Sequence, residues 1–191
     1  EATWLVGDYF TLGGNYSYTD TEYNESYLVT ERNDFNLPNS LFQFALDENG
    51  NRIQNAVGQN EFNLDAYVRD VQGNPLKRIP KQKATVYGSY EIPTVNGMLS
   101  LNATYSYTGE YASSAFQRAI DLVPSRKRID FSINWKDNAD KWVARFFVDN
   151  VTDERVFRGI GLSTESSNYR TTGERLYPRY WGFDVTRRFG G

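Results

Sequence analysis

One unusually long alternation of apolar and polar side chains constrains the fold of this chain most strongly. The stretch "MLSLNATYSYTGEYA", Met98 to Ala112, carries an apolar or aromatic residue at almost every second position. Because successive side chains of a strand point to opposite faces, the pattern predicts an extended strand with one apolar face. Globular strands usually have about 5–6 residues, whereas a tilted strand that crosses a bilayer needs roughly 9–11. The alternation is long enough for a membrane-crossing strand.

The same period of two recurs in six further segments, which brings the predicted number of strands to about seven. They are Glu1 to Val6, "YFTLGGNYSYTD", "KATVYGSYEI", "RKRIDFSINWK", "KWVARFFVDN" and "RYWGFDVTRRF".

The connections between these strands alternate strictly in length. Outer-membrane barrels have short turns at one rim and long loops at the other, whereas a soluble sheet protein has no reason to keep such an order. The pattern therefore predicts an all-β, antiparallel transmembrane β-barrel. The short connections lie near Gly7 and Asp8, at Pro93 to Gly97 and at Asp137 to Asp140, and the long ones at Glu22 to Pro80, Ser113 to Ser125 and Thr152 to Pro178.

The composition agrees with a barrel and excludes a membrane-spanning helix. Only 39% of the residues are hydrophobic, the mean hydropathy is -0.64, and no run approaches the roughly 18 apolar residues of a transmembrane helix. Barrel strands escape such averages, because every second side chain faces a polar interior. Aromatic residues make up 16% of the chain, and they favour strands and membrane interfaces.

The residues that the chain lacks remove most familiar chemistry. There is no cysteine and no histidine, which excludes disulfides, thiolate metal sites, cysteine nucleophiles and histidine-based triads. The net charge of -3 disfavours a nucleic-acid binder, which would carry a basic stripe. No constellation of carboxylates stands out, so we predict no enzyme and no catalytic, cofactor or metal site. "DENGN", Asp47 to Asn51, lacks the spacing of a calcium loop and is interpreted as a turn.

The positions of the aromatic residues predict two interfacial girdles. Trp135 and Trp142 lie on either side of the short turn "DNAD" on the apolar faces of neighbouring strands. A second group lies toward the long-loop ends, where the other belt of a barrel is expected. The predicted lipid-facing girdle comprises Trp135, Trp142, Tyr105, Tyr107 and Trp181, and Tyr16, Tyr18 and Tyr111 fall in the same belt as the two tyrosines.

The longest connection, Glu22 to Pro80, is the favoured site of ligand contacts. It exceeds the roughly 12–15 residues beyond which a structureless loop in a compact domain is unusual, and loops carry recognition on a rigid scaffold. Part of it, "FQFALDENGNRI", has the pattern of a small hairpin. Its acidic residues outnumber its basic ones, which gives no reason to favour a strongly anionic ligand.

The C-terminal region resembles that of TonB-dependent outer-membrane receptors. In that family, an Asn-aliphatic-x-Asp stretch followed by an aromatic residue closes the penultimate strand, and a Pro-Arg-x-aromatic-Gly stretch opens the last one. "GNPLKRIPKQKATVYGSYEI" is likewise similar to a return from a long loop into a strand of that family. The residues that carry the first resemblance are Asn150, Val151, Asp153 and Phe157, and then Pro178, Arg179, Trp181 and Gly182.

The resemblance implies an origin, an architecture and an activity. Residues 1–191 would be the C-terminal seven strands or so of a barrel of about 22 strands, without the plug domain and the N-terminal box. The whole protein would lie in the outer membrane of a Gram-negative bacterium, in contact with its lipid. With energy from the TonB complex it would import a scarce small molecule, first of all a ferric siderophore and otherwise a cobalamin or an oligosaccharide.

The last strand adds an expectation about assembly. Phe183, Val185 and Phe189 share one lipid-facing row. In the proteins that this chain resembles, such a terminal row is also read by the outer-membrane insertion machinery. The chain ends with Gly190 and Gly191, whereas the family commonly ends with an aromatic residue.

Two alternative functions remain open from the sequence. A passive porin or an outer-membrane adhesin would use the same kind of barrel, and a plug domain upstream would distinguish the importer from both. A more distant alternative is a soluble β-sandwich binding module, whose core strands also alternate.

Overall fold

The computed structural model describes residues 1–30, 45–54, 56–59, 61, 68–163 and 170–189. These residues form thirteen strands and one short 3-10 turn, Ala119–Asp121. The strands are β1 (Ala2–Val6), β2 (Phe10–Tyr18), β3 (Leu28–Thr30), β4 (Val68–Asp70), β5 (Gln82–Thr94), β6 (Gly97–Thr108), β7 (Tyr111–Ala112), β8 (Leu122–Val123), β9 (Arg126–Asp137), β10 (Trp142–Asp149), β11 (Phe157–Leu162), β12 (Thr171–Arg175) and β13 (Tyr180–Arg187).

Seven of the strands form one antiparallel sheet in the order β1-β2-β5-β6-β9-β10-β13. These are the seven strands that the alternation predicts, and each pairs with the next one along the chain. The alternation of short and long connections is also confirmed. We call the long connections loop A (residues 19–81), loop B (residues 109–125) and loop C (residues 150–179). Each long loop contains one small two-stranded sheet: β3-β4, β7-β8 and β11-β12.

The short turns at the other rim are fixed by side chains and by one another. The carboxylate of Asp137 accepts hydrogen bonds from the backbone amides of Lys141 (2.7 Å) and Trp142 (2.8 Å), so it closes the turn between β9 and β10. The side-chain amide of Asn138 donates to the carbonyl oxygen of Val95, at 3.0 Å, in the neighbouring turn. Adjacent hairpins are thereby joined at this rim.

The register of the strands gathers the alternating apolar residues on one face. Leu99 of β6 lies opposite Ile92 of β5 and Trp135 of β9. Ala144 of β10 lies opposite Trp135 and also opposite Val185 of β13. Because a slip by one residue would move a whole strand's side chains to the other face, this agreement across strands fixes the register. We call this surface the apolar face and the opposite one the polar face.

Much of the apolar face is uncovered. Soluble monomers rarely expose apolar patches of more than a few hundred Å². Within the part of the chain that the structure describes, no second sheet packs against this face, so the arrangement is not that of a β-sandwich. The large side chains on it that are more than half exposed include Trp4, Tyr16, Trp181, Phe183 and Val185.

The buried core of the chain lies in its long loops. The most buried apolar residues are Val71 of loop A and Val123 of loop B, both with 0% exposure, together with Ala112 and Ala115 of loop B. Burial of such side chains stabilises a fold by removing apolar area from water. The three loops are thus folded structures and not simple linkers.

Three details of the predictions are settled by the described residues. Tyr111 is a correction: β6 ends at Thr108, and Tyr111 lies in β7, which belongs to a separate two-stranded sheet. The predicted strand is therefore interrupted, and Tyr111 does not continue the apolar row of β6. The hairpin predicted in "FQFALDENGNRI" is confirmed for its described part, in which Leu46 and Arg52 form an antiparallel bridge. Residues 41–44 lie outside the described residues. The described part contains no helix long and apolar enough to cross a membrane.

The turn interpretation of "DENGN" is also confirmed. One carboxylate oxygen of Asp47 accepts hydrogen bonds from the backbone amides of Asn49 (2.9 Å) and Asn51 (2.8 Å). The other accepts from the side-chain amide of Asn51. These bonds lower the pKa of Asp47, the amide of Asn51 having the largest effect. The carboxylate therefore holds the turn closed.

Candidate functional site

The three long loops meet at one end of the sheet, where hydrogen bonds join them. Arg78 of loop A donates its backbone amide to the carbonyl oxygen of Ala112 in loop B (2.8 Å). Gln117 of loop B donates its side-chain amide to the carbonyl oxygen of Pro75 (2.8 Å). The hydroxyl of Tyr111 donates to the carbonyl oxygen of Arg158 in loop C (2.5 Å). Loop B is thus bonded to loop A on one side and to loop C on the other.

Two adjacent cavities lie between these loops. The larger has a volume of about 610 Å³ and is lined by residues of all three loops. The smaller, of about 260 Å³, reaches loop A and the buried part of loop B. They share Arg78, Ser113, Ile160 and Gly161, so they adjoin, and we call the two together the inter-loop cleft. Its larger part alone falls within the 300–1,000 Å³ of small-molecule sites.

Basic side chains outnumber acidic ones in the described lining of this cleft. Lys77, Arg78, Arg118 and Arg158 face only Asp121 and Glu174. Both carboxylates are already paired. Asp121, with 3% exposure, accepts hydrogen bonds from the guanidinium and the backbone amide of Arg118, and Glu174 pairs with Arg158.

Arg78 is held in an uncommon backbone conformation at the junction of the two cavities. Its φ of 64° lies in the left-handed region, which residues other than glycine seldom adopt. The hydrogen bond from its amide to Ala112 fixes it there. Its guanidinium has no hydrogen bond, ion pair or ring contact with any other residue that the structure describes. The charge is therefore available to a ligand.

The hairpin β11-β12 forms the wall of the cleft in loop C. Gly159, Gly161 and Gly173 line the larger cavity, which keeps this wall open because glycine has no side chain. The ring of Phe157 lies where a side chain at Gly173 would be, so the two strands pack closely. The ion pair of Arg158 with Glu174 crosses the hairpin; it lowers the pKa of Glu174 and raises that of Arg158.

The motif residues of the C-terminus close the base of loop C. Asn150 is 2% exposed and has a φ of 53°. Its side-chain amide donates to the carbonyl oxygens of Glu154 (3.1 Å) and Tyr177 (2.9 Å), and its side-chain oxygen accepts from the amide of Glu154 (3.0 Å). Asp153 accepts from the backbone amide of Arg179 (3.0 Å), which is the largest cause of its lowered pKa. We call this set the loop C clamp; its role is structural, and it lines neither cavity.

The residues predicted for the girdles and for assembly lie on the apolar face at the expected ends. Trp135 and Trp142 lie next to the short turn, and Trp181 lies opposite Val148 at the long-loop end. Tyr105 lies opposite Val86 and Ile129, and Tyr107 lies opposite Ala84 and Lys127. Phe183 and Val185 share the row of Trp181 on β13, and Phe189 follows the strand and is 79% exposed. Whether lipid or insertion machinery contacts them remains a prediction.

Arg187 interrupts this apolar row, and its charged group contacts two aromatic rings. Its guanidinium lies 4.9 Å from the centre of the Trp142 ring and 4.7 Å from that of Phe189. Cation–π contacts of this kind stabilise an arginine next to apolar surface. Arg187 therefore belongs to the aromatic cluster beside the short turn.

The cleft residues outside loop A were not found from the sequence. Ser113, Ile160 and Gly161 belong to loops whose strands are too short or too irregular to produce a pattern of period two. The sequence does contain a signal for the loop C clamp, because Asn150 and Asp153 belong to the motif that carries the resemblance. Among the described residues, no group of three or more acidic side chains is placed to hold a metal ion.

The fold is similar to parts of two solved receptor structures. The ferric yersiniabactin uptake receptor FyuA from Yersinia pestis matches 69% of this chain with a TM-score of 0.56 and 18% identity. The siderophore receptor PiuA from Acinetobacter baumannii matches 96% of it with a TM-score of 0.58 and 15% identity. No protein-family profile and no curated protein sequence matches the chain.

These matches cover only a small part of the two receptors. The chain spans 19% of the length of FyuA and 20% of that of PiuA. Both receptors are outer-membrane β-barrels, and the seven-stranded antiparallel sheet corresponds to a section of such a barrel. The chain therefore has an all-β, antiparallel fold that is similar to a segment of an outer-membrane β-barrel.

Proposed function

We propose that this chain is the C-terminal part of the barrel of a TonB-dependent receptor in the outer membrane of a Gram-negative bacterium. The observation that carries the proposal is the division of the molecule into an exposed apolar sheet and a folded group of long loops at one end. Lipid would cover the apolar face. The similarity in fold to two siderophore receptors supports the same assignment.

The proposed activity is energy-coupled import of a scarce small molecule, a ferric siderophore in the first place. The loops would capture it in the inter-loop cleft, whose volume suits a ligand of this size. The plug domain and the contact with the TonB complex would lie elsewhere in the whole protein. The chain itself would perform no catalysis, and cobalamins and oligosaccharides remain the other ligand classes.

Uptake by cells tests this proposal against the passive alternatives. Radiolabelled iron would be offered, as a panel of ferric chelates, to cells that produce or lack the full-length protein. We expect uptake of at least one chelate that requires the protein and stops when the proton gradient is collapsed or the TonB complex is absent. A passive porin would give uptake that survives both treatments, and an adhesin would give none.

Deletion of residues 33–59 from the full-length protein tests the role of loop A. We expect this variant to reach the outer membrane in normal amount but to lose uptake, because the barrel strands are untouched. Unchanged uptake would show that residues 33–59 make no necessary ligand contact; Lys77 and Arg78, which line the cleft from loop A, are retained in this variant.

A further inference from the structure

The charge distribution of the inter-loop cleft defines the kind of ligand that it accepts. We propose that the cleft binds the anionic oxygens of the ligand, carboxylate or phenolate in nature, with Arg78 as their anchor. This inference rests on the proposed function for its link to transport, but the anion site itself can be tested separately. The sequence of loop A as a whole does not predict this preference for anions, because acidic residues outnumber basic ones in it.

The first argument is the unequal pairing of charges. Asp121 is occupied by Arg118, with a distance of 2.8 Å from Nε to the carboxylate, and Glu174 is occupied by Arg158. Arg78 and Lys77 have no partner among the described residues and both line the smaller cavity. The described lining of the cleft therefore carries a net positive charge, although the net charge of the chain is -3.

The second argument is the way in which Arg78 is held. Its backbone is fixed by the bond to Ala112, and the chain on either side is fixed by the contacts of Pro75 with Gln117 and by the buried Pro80. A guanidinium presents donors in a planar fork that matches two carboxylate oxygens. Because the backbone of Arg78 is fixed at the junction of the two cavities, only its side-chain rotamers have to be ordered when it binds such a group.

The third argument concerns the remainder of the ligand. Beside the cations, the cleft is lined by Tyr111, Phe116, Ile160 and Leu162, and the wall of β11 is open at Gly159 and Gly161. This surface suits an apolar or aromatic body next to the anionic group. The ligand class is therefore an amphipathic anion and not a bare inorganic one.

Chemical modification tests the anion site without knowledge of the natural ligand. The folded full-length protein would be treated with phenylglyoxal, which modifies arginine side chains, with and without citrate, at constant ionic strength set by chloride. Peptide mass spectrometry measures the adduct on Arg78. We expect Arg78 to react and citrate to reduce its adduct roughly 10-fold. Arg188, whose partner Asp140 is at the opposite rim (2.6 Å), is the internal control and should not respond. Lack of reaction at Arg78, or an adduct insensitive to citrate, would overturn the proposal.

Transport then tests whether the site selects the imported ligand. Uptake of an anionic ferric chelate, ferric citrate or a ferric catecholate, would be compared with that of a neutral ferric hydroxamate. A K77Q/R78Q variant should weaken uptake of the anionic chelate roughly 10- to 100-fold. A K127Q/K141Q variant, which removes the same charge from exposed positions outside the cleft, should change it less than about twofold.

The results distinguish a failure of the anionic specificity from a failure of the proposed iron transport. Selective import of the neutral chelate, or equal uptake by both variants, would refute the anionic specificity while leaving the receptor function intact. If citrate protects Arg78 but no ferric chelate is imported, the anion site stands and the proposed iron transport fails.

Discussion

The side-chain amide of Asn150 donates a hydrogen bond of 2.9 Å to the carbonyl oxygen of Tyr177, which joins the two ends of loop C. Asn150 itself is 2% exposed, and its side chain fills the space between the two ends of the loop. Loop C therefore leaves β10 and returns to β13 from one fixed point.

Removal of this amide should destabilise the protein. Asn150→Gly keeps a residue that tolerates the left-handed backbone but removes the three hydrogen bonds of the Asn150 side chain to Glu154 and Tyr177, at a total cost of about 1–3 kcal/mol. Urea titration of the full-length protein in lipid vesicles measures the effect. Asn138→Ala, which loses one exposed hydrogen bond to Val95, is the control and should cost less than about 1 kcal/mol. Equal stability of the two variants would contradict the role of the clamp.

A second prediction concerns Gly97, at the start of β6. A Cβ at this position would collide with the carbonyl group of Lys136 on the paired strand, and backbone cannot move aside as a flexible side chain can. We expect Gly97→Ala to cost roughly 1–3 kcal/mol. Gly88→Ala, whose Cβ would lie 3.4 Å from the ring of Phe10, should be nearly neutral in the same titration. A tolerated Gly97→Ala would mean that β6 and β9 pair less closely there.

A third prediction tests the environment of the apolar face. Phe183 lies in the middle of β13, opposite Phe146, and is 63% exposed. If lipid covers it, Phe183→Lys should cost roughly 2–4 kcal/mol. Thr186→Lys places the same charge three residues further on, on the polar face, and should have little effect. Retention of heat resistance in the folded electrophoretic band of Phe183→Lys would show that lipid does not cover this face.

A fourth prediction separates assembly from stability. Phe189 follows β13 and is 79% exposed, with its ring against the guanidinium of Arg187. Phe189→Ala should therefore cost little in unfolding free energy but slow insertion into the outer membrane. Pulse-chase labelling of the full-length protein measures the insertion rate, and Phe183→Ala in the same row serves for comparison. A normal rate for both variants would remove this row from the assembly signal.

A fifth prediction concerns the pH dependence of the hairpin β11-β12. The pKa of Glu174 is lowered by its hydrogen bond to Arg158, so the pair stabilises the hairpin at neutral pH. That contribution is present above the ordinary pKa of 4.5 and is lost as the pH falls through the lowered value. Hydrogen exchange of residues 157–162, corrected for intrinsic rates, should accelerate in acid. Glu174→Gln should exchange faster already at neutral pH and show a smaller change in acid; the same pH response as the unaltered protein would exclude this pair as the cause.

The sheet could be predicted from the sequence, whereas the cleft could not. Each barrel strand can be recognised from its own residues, because every second side chain of a strand lies on the same face. Leu99, Leu101 and Tyr105 of β6 are an example. Trp135 and Trp142 similarly mark a turn through local spacing. Pairing between neighbours along the chain then follows from the short turns.

The structure of the long loops depends on contacts between residues that carry no local sequence pattern. Strands β7 and β8 have two residues each, too few for any periodicity, and they exist because their surroundings hold them. The left-handed backbone of Arg78 has no signal in its residue type, since arginine has no preference for that conformation. The burial of Asp121 depends on its contacts with Arg118 and not on a local apolar pattern. Such features arise from tertiary contacts and are visible only in the structure.

The location of the core in the loops has a consequence for how this molecule can change over evolution. Ordinary surface loops accept substitutions one at a time, because their side chains meet only water. Here Val71 and Val123 are fully buried within the loops, so a single replacement disturbs packing as it would in a globular core. New ligand preferences would then arise by exchange or recombination of whole loop segments on an unchanged scaffold. Chimeras that transplant loops A, B and C together should accordingly retain their specificity, whereas those that transplant one loop alone should lose it.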